Sequence, residues 1–361
     1  MSQEIGARVA ACLTGRQTQR EVASQIGMTP DAFSRALNGK RAFSALELAR
    51  VAEVLNADIH YLITGEADPR RILVAARHDY DHQTGQRTVP DAETDKAVLR
   101  DVSLAYRQAE PANLPASTLP ATPEDARSAL GHGFVRPFIE RLESSIEVDV
   151  VRLPGLSTSY CFTVSSRAVI VLAATGNWFR ENWALAHELG HLALGHLDPG
   201  LAPAVRDQHE AKANAFAAEL LLPAEVLRSM EWSTVTAPVL ATRVWDFGVS
   251  IDALARRLNS LGIVVSDALA EWAVQPTQRL LRRHWQPTEP GDPITARMDA
   301  AAVRHFSLAL QDAHLALIAQ GALPKGTLAW MLGVVPDSLE VDEPAPQEVI
   351  APSELASALG L

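Results

Sequence analysis

Two histidines four residues apart, His187 and His191, flank a glutamate in the run His187-Glu188-Leu189-Gly190-His191. Four residues advance a helix by about 40° past one full turn, so both imidazoles leave from the same face. Neutral imidazoles at that spacing can ligate one divalent cation, with zinc (Zn2+) the ion that fits such a set. Glu188 lies one position on, beside the coordination site left open. A carboxylate there can take a proton from water and pass it to a leaving amine. These residue types at this spacing point to metal-assisted hydrolysis, with Glu188 as the catalytic base.

A catalytic zinc site needs a third protein ligand, and the chain offers two candidates. Residues 207–222 carry Ala213, Phe216, Ala217, Leu220 and Leu221 at helical spacing, an apolar stripe that would face a core. Glu210 and Asn214 are four apart and share a face beside that stripe. Glu210 on a facing helix completes a two-His, one-Glu set and leaves one position for water. Asn214 is then placed to accept a hydrogen bond from the non-ligating N–H of His187 and fix its tautomer. Glu219 is the rival ligand, but it lies close to the core and ranks below Glu210. His196, five residues after His191, falls on another face and reads as a cation at a helix C-terminus. His209 reads as exposed. His284, His305, His314 and Tyr160 are the side chains that could stabilise an oxyanion, and spacing singles out none of them.

The elements that must position this site follow from the pattern around it. Helices are expected over residues 179–196 and 207–222, with Trp183, Leu185, Leu189 and Leu192 buried against a sheet. Phe134, Phe138, Ile139 and Leu142 fall at helical spacing. Two β-branched runs, 146–151 and 168–172, read as strands. The second reads as an ordinary core strand in preference to an edge that pairs with substrate backbone. Residues from about 240 to 340 look largely helical. The middle third is thus an α+β arrangement with few strands.

The stretch Trp183-Ala184-Leu185-Ala186-His187-Glu188-Leu189-Gly190-His191, with Glu210-Ala211-Lys212-Ala213-Asn214-Ala215-Phe216-Ala217-Ala218-Glu219-Leu220-Leu221-Leu222-Pro223, resembles the ImmA/IrrE metallopeptidases. The resemblance covers about 125–275 and extends weakly to 313–332. It implies a cytoplasmic bacterial zinc peptidase that cleaves repressor proteins at a gluzincin-like His-Glu-x-x-His site with a distal Glu. Lys212 departs from the family, which often has an acid there. That position should face solvent.

The N-terminal segment points to a different chemistry. Thr18 to Gly27 fits a short helix stopped by glycine, and Thr29 then offers an N-cap with Pro30 at the first helical position. A second helix would run from Pro30 to Leu37 and stop at Asn38-Gly39. Val22, Ile26, Phe33 and Leu37 would pack the pair, leaving Asp31, Ser34 and Arg35 outward and Asn38, Lys40 and Arg41 near phosphates. Two short helices and a tight turn have the geometry of a helix-turn-helix. The segment Thr18 to Gly65, with Asn38-Gly39-Lys40 and Tyr61-Leu62-Ile63-Thr64-Gly65, resembles the XRE/Cro phage-repressor-like family. That resemblance implies a phosphate contact from Gln19, with base-reading positions at Pro30, Asp31 and Arg35. Pro30 has no donor and Asp31 would repel phosphate, so readout would lean on Arg35 and Ser34, with Thr29, Asn38 and Lys40 alongside. The alternative is a helical dimerisation or protein-binding module that does not touch DNA.

The whole chain has 361 residues, enough for two or three domains, with 47 % hydrophobic and 21 % charged residues. A net charge of −11 argues against a protein that coats nucleic acid along its length. Residues 1–65 hold seven Lys/Arg and six Asp/Glu, and residues 336–361 hold six acids and no base. Cys12 and Cys161 are too few for a disulfide framework. No apolar run is long enough to span a membrane and no secretory signal is evident, so a cytoplasmic location is expected. Residues 111–123, with four prolines, read as a linker.

The expected organisation is multidomain. An all-α helix-turn-helix domain (1–66) and a connector with the linker (67–123) precede an α+β gluzincin-like metallopeptidase domain (124–275). A helical C-terminal region with an acidic tail (276–361) follows. The expected function is a regulator that binds a double-stranded DNA operator as a homodimer and cleaves a protein substrate, a repressor, with zinc. The alternatives are a DNA-binding regulator whose peptidase-like domain senses a ligand without cutting, and a lone peptidase that grips its substrate with the N-terminal helices.

Overall fold

The computed structural model describes residues 2–13, 18–55, 57–66, 74–76, 79–81, 86–88, 92–197, 203–287 and 291–344. The chain divides into two compact units, Met1–Arg71 and Ile72–Leu361.

Short polar residues start the helices of the first unit. It contains α1 (Ser2–Cys12), α2 (Gln19–Gln25), α3 (Pro30–Leu37), α4 (Ala45–Val54) and α5 (Ile59–Thr64). Thr18 and Glu21 form a reciprocal capping box at α2, and Ser44 and Glu47 form another at α4. The Thr29 hydroxyl accepts from Ala32 N at 3.2 Å with Pro30 behind it. Between α2 and α3 the backbone turns at Gly27 with φ of 75°, a conformation that favours glycine. Val22, Ile26, Phe33 and Leu37 are buried together with Val9, Leu48, Val51 and Leu62.

In the second unit the two-residue period of extended chain sets the design. Its strands and early helices are β1 (Val74–Ala76), β2 (Asp79–Asp81), β3 (Gln86–Thr88), α6 (Ala92–Ala109), α7 (Pro123–Leu130), α8 (Phe138–Ser145), β4 (Val148–Leu153), β5 (Tyr160–Val164) and β6 (Arg167–Ala173). A four-stranded sheet runs in the order β1-β5-β6-β4, with β4 and β6 parallel and the other pairs antiparallel. β2 and β3 form a separate two-stranded ladder. Helices α9 (Trp178–Ala193), α10 (Pro203–Leu221), α11 (Ala224–Arg228), α12 (Ala237–Phe247), α13 (Ile251–Ser260), α14 (Asp267–Ala273), α15 (Thr277–His284), α16 (Pro293–Ala300), α17 (Leu308–Ala319) and α18 (Gly326–Leu332) follow.

Alternate residues of the sheet feed two different cores. Val148, Val150, Cys161, Ala168, Ile170 and Leu172 pack with Leu185 and Leu189 of α9. Val151, Leu153, Phe162, Val169 and Val171 pack with Val102 and Tyr106 of α6, Leu310 of α17 and Met331 of α18. Each such aliphatic or aromatic side chain, fully buried, contributes about 1.5–3 kcal/mol against exposure. The face with α6 also buries Asp149, which accepts from Tyr106 Oη at 3.0 Å and pairs with Arg167.

β6 lies between β5 and β4, so residues 168–172 are the expected core strand and not an edge that could receive substrate. Other expectations are corrected here. β5 is an element that the sequence pattern does not mark, because its five residues sit between serines that read as loop. The proline-rich stretch 111–123 is not a free linker. Ser117 N donates to Ser166 O at 2.9 Å, Thr118 N to Ile146 O at 2.9 Å, and Arg167 Nη1 to Pro115 O at 3.1 Å. Proline lacks a donor but keeps its acceptor, and the sheet uses it. No break in packing falls at 275/276 either, since Leu280, Leu281 and Ile294 join the core beside α9. Of the expected connector, residues 67–73, 77–78, 82–85 and 89–91 lie outside the described residues, as do 345–361 of the acidic tail.

Among the described residues, the outer edge of β4 meets the Glu143 carboxylate, which accepts from Val150 N at 3.3 Å, and a short backbone exchange. Arg152 N donates to His305 O and His305 N to Arg152 O, both at 2.9 Å. The Arg152 guanidinium reaches Glu181 of α9 at 2.6 and 2.8 Å and the carbonyls of Ala300 and Val303 at 2.7 and 3.1 Å. Among the described residues no helix is long and apolar enough to cross a membrane.

Candidate metal centre

The site is built on two helices whose backbones approach closely. Asn177 caps α9, its side chain accepting from Arg180 N at 3.2 Å, and the helix buries most of its length down to Leu192. It ends at Ala193, short of the expected His196. α10 packs along it. A Cβ on Gly190 would lie 3.1 Å from Phe216 Cβ and 3.2 Å from Ala213 O, so a side chain there would press α10 away. Glycine at that position lets the Glu210 carboxylate reach the histidines.

His187, His191 and Glu210 converge, each buried, with one ligand atom apiece within 4.8 Å of the others. The two Nε2 atoms are 3.1 Å apart, His187 Nε2 lies 3.3 Å from Glu210 Oε2, and His191 Nε2 lies 3.8 Å from Glu210 Oε1. Tetrahedral zinc with bonds of about 2.0–2.1 Å holds its donor atoms about 3.3 Å apart, so this set has the right size and donor chemistry. Burial, then the neighbouring His187, push the His191 pKa down to about 3, which keeps that imidazole neutral as a ligand must be. Asn214 Oδ1 is 3.1 Å from His187 Nδ1. As an acceptor there it requires the proton on Nδ1 and leaves the Nε2 lone pair facing inward.

Glu188 points to the sheet side of the same centre. Ser159 Oγ donates to its Oε1 at 2.6 Å, and both residues are buried. The Cys161 thiol, fully buried, has its pKa raised by burial first and then by the Glu188 charge and a hydrogen bond to it. Neither contact was foreseen. The available signal was the two-residue period, which puts 159 and 161 on one side of a strand. Tyr160, between them, faces the other way and donates to Asp95 of α6 at 2.6 Å. It is therefore not an oxyanion donor at this centre.

The other candidates fall elsewhere. Glu219 pairs with Arg257, and its Oε1 accepts from Ala224 N at 3.2 Å at the start of α11. His196 is not a solvated helix-end cation. It is buried and stacked on His209 with centroids 3.7 Å apart, and its ring lies 5.5 Å from that of His191. Burial, followed by His209, holds its pKa at about 4. His209 is half-buried. His305 bonds Glu143 at 2.8 Å, His314 bonds Ala105 O at 2.9 Å, and His284 packs edge-on against Trp272. Lys212 is exposed.

A cavity of about 650 Å³ opens between α9, α10 and α13, lined by Trp183, Arg180 and Arg256, and it meets the centre only through Asn214. A smaller one of about 220 Å³ borders Ser159 itself, with Thr158, Arg180 and Ala184. In the first unit Gln19, Thr29, Asp31, Arg35, Asn38 and Lys40 are exposed and Ser34 is half-buried. Asn38 Nδ2 donates to Ser34 O at 2.8 Å, and Arg41 pairs with Glu47 at 2.5 Å.

Residues 144–259 match the family model of the IrrE N-terminal-like domain, Peptidase_M78. That stretch is roughly a third of the chain and holds β4 to α13, with all three converging ligands, Glu188, Ser159 and Asn214. A metallopeptidase family is thereby indicated for this part of the chain, and the His187–His191–Glu210 cluster is compatible with it. No curated protein matches the chain.

Proposed function

We propose that this chain is a zinc-dependent endopeptidase joined to a helix-turn-helix unit, a cytoplasmic regulator that binds a DNA operator as a homodimer and cleaves a repressor. The observation that carries the hydrolytic half is the convergence of His187, His191 and Glu210 with Glu188 held beside them. Zinc bound by those three would supply Lewis-acid polarisation of a scissile carbonyl and acidify water. The chain's own residues supply the rest. Asn214 holds the His187 ring in one tautomer, and Ser159 holds the carboxylate of Glu188. Glu188 takes a proton from the attacking water as its oxygen bonds the scissile carbon. The same proton then goes to the amine nitrogen as the C–N bond breaks.

The DNA-binding half is supported by the capped α2–turn–α3 pair and the exposed side chains on it. In this reading Gln19 and Lys40 meet phosphate, Arg35 and Ser34 read base edges, and Thr29, Asp31 and Asn38 border the contact.

One observation favours a second reading. Glu188 has no exposed surface (0 %), so a substrate can reach it only after the centre opens, whereas a sensor needs no such access. Glu188→Gln separates the two, because an amide keeps the shape but is no base. Zinc-loaded wild type, incubated with repressors encoded beside its gene, should release fragments detectable by mass spectrometry. The variant should cleave roughly 10²- to 10⁴-fold more slowly with zinc and DNA binding intact. A variant that regulates normally with zinc in place would hand the function to the sensing reading.

A further inference from the structure

Asp95 is a fully buried carboxylate on α6, outside the stretch that matches the peptidase family. It accepts from Ser157 N at 3.1 and 3.2 Å, from Ser157 Oγ at 2.6 Å and from Tyr160 Oη at 2.6 Å. Burying a carboxylate is unfavourable by several kcal/mol unless hydrogen bonds compensate it, and here these donors come from one four-residue stretch. That stretch enters β5, where alternate side chains face opposite ways. Ser157, in the bend before the strand, and Tyr160 turn to α6, while Ser159 turns to α9 and holds Glu188.

We propose that residues 157–161 form a two-sided clamp through which Asp95 sets the position of Glu188, with Ser159 as the contacting arm. Asp95 and Ser159 are then positioning residues for the proton transfer, and α6 belongs to the working centre although it lies outside the family match. The proposal rests on the peptidase reading. Its logic is preorganisation: a base held by a charge-assisted hydrogen bond does not have to be reoriented when water attacks.

The experiment uses the full chain, zinc-loaded, with labelled casein or the repressor that the wild type cleaves. Ser159→Ala should lower kcat roughly 10- to 100-fold, the range of one hydrogen bond to a charged group, with KM within about twofold and zinc affinity by chelator titration unchanged. Ser159→Thr, which keeps the hydroxyl, should recover most of the loss. Asp95→Asn should lower kcat in the same direction. Combined with Ser159→Ala it should be no worse than Ser159→Ala alone, because the two act through one contact. Additive losses, or a matching fall in zinc affinity, would show Asp95 to be merely structural and overturn the clamp. Hydrogen exchange gives a readout independent of cleavage, since amides 157–161 should lose protection in Asp95→Asn, and unchanged protection overturns the proposal outright. If Asp95→Asn fails to fold, Tyr160→Phe removes one of the same bonds and is read in the same way. A wild type that holds zinc and cleaves nothing sinks the peptidase reading and the positioning role with it, and exchange then tests the tether alone.

Discussion

The N-terminal helices and the α9–α10 centre present their polar side chains in opposite ways. In the first unit Gln19 and Arg35 stand exposed on helices whose starts are written within four residues, as at Thr18–Glu21, and Lys40 is exposed in the turn after α3. In the second, His187, Glu188, His191 and Glu210 are buried, and their partners come from as far away as Ser159 and Asn214. An exposed contact must be ordered by whatever binds it, so single changes there should act weakly and separately. A buried constellation is ordered by folding, so single changes should propagate together to the proposed ion binding and chemistry.

The sharpest break in that comparison comes from Glu210. Glu210→Ala removes one of the three proposed ligands and leaves two imidazoles, so on the proposed reading zinc content by metal analysis should fall from one per chain to near zero, and cleavage with it. Glu219→Ala should leave zinc untouched, because that carboxylate is engaged with Arg257 and Ala224 N. The reverse ranking would mean that the ligand set is misassigned. Next in size is Asn214→Ala, which frees the His187 tautomer and should weaken zinc about 10- to 100-fold in a competition titration. Equal affinity in that variant would show the centre to be less interdependent than its contacts imply.

The smallest effects belong to the other unit. Arg35→Ala should weaken operator binding by about 1–3 kcal/mol and relax preference at one base position. Lys40→Ala should weaken all sequences alike and lower the salt slope by about one. A mobility-shift series in which no genomic fragment is bound specifically would remove the DNA-binding half. A series in which Lys40 and Arg35 act as one unit would erase the contrast between the two regions.

Much of the site was legible because helices place i and i+4 side chains together. His187, His191, Glu210 and Asn214 could all be assigned to faces without knowing the fold. The caps at Thr29 and the glycine stop at Gly27 were legible for the same reason, being local. Ser159 and Asp95 were not, since their relation to Glu188 passes through a short strand with no alternating apolar signal of its own. Helix geometry carried past Ala193 puts His196 at a solvated helix end, whereas the chain has already turned there. The prolines of 111–123 misled in another way: composition reports the lack of donors and is silent on what the remaining carbonyls accept.

The thin join at Arg152 and His305 has a consequence for dissecting this protein. The stretch 144–259 contains the ligands but not His305, α6, α17 or α18. Excised at those limits, it would leave β4 as an open strand beside an uncovered sheet face of Val151, Leu153, Phe162, Val169 and Val171. Unsatisfied strand edges next to a bare apolar surface are templates for aggregation. The limits of the family match and the limits of a piece that keeps its apolar sheet face covered therefore do not coincide here, and an expression fragment would have to reach from about residue 72 to past Leu332.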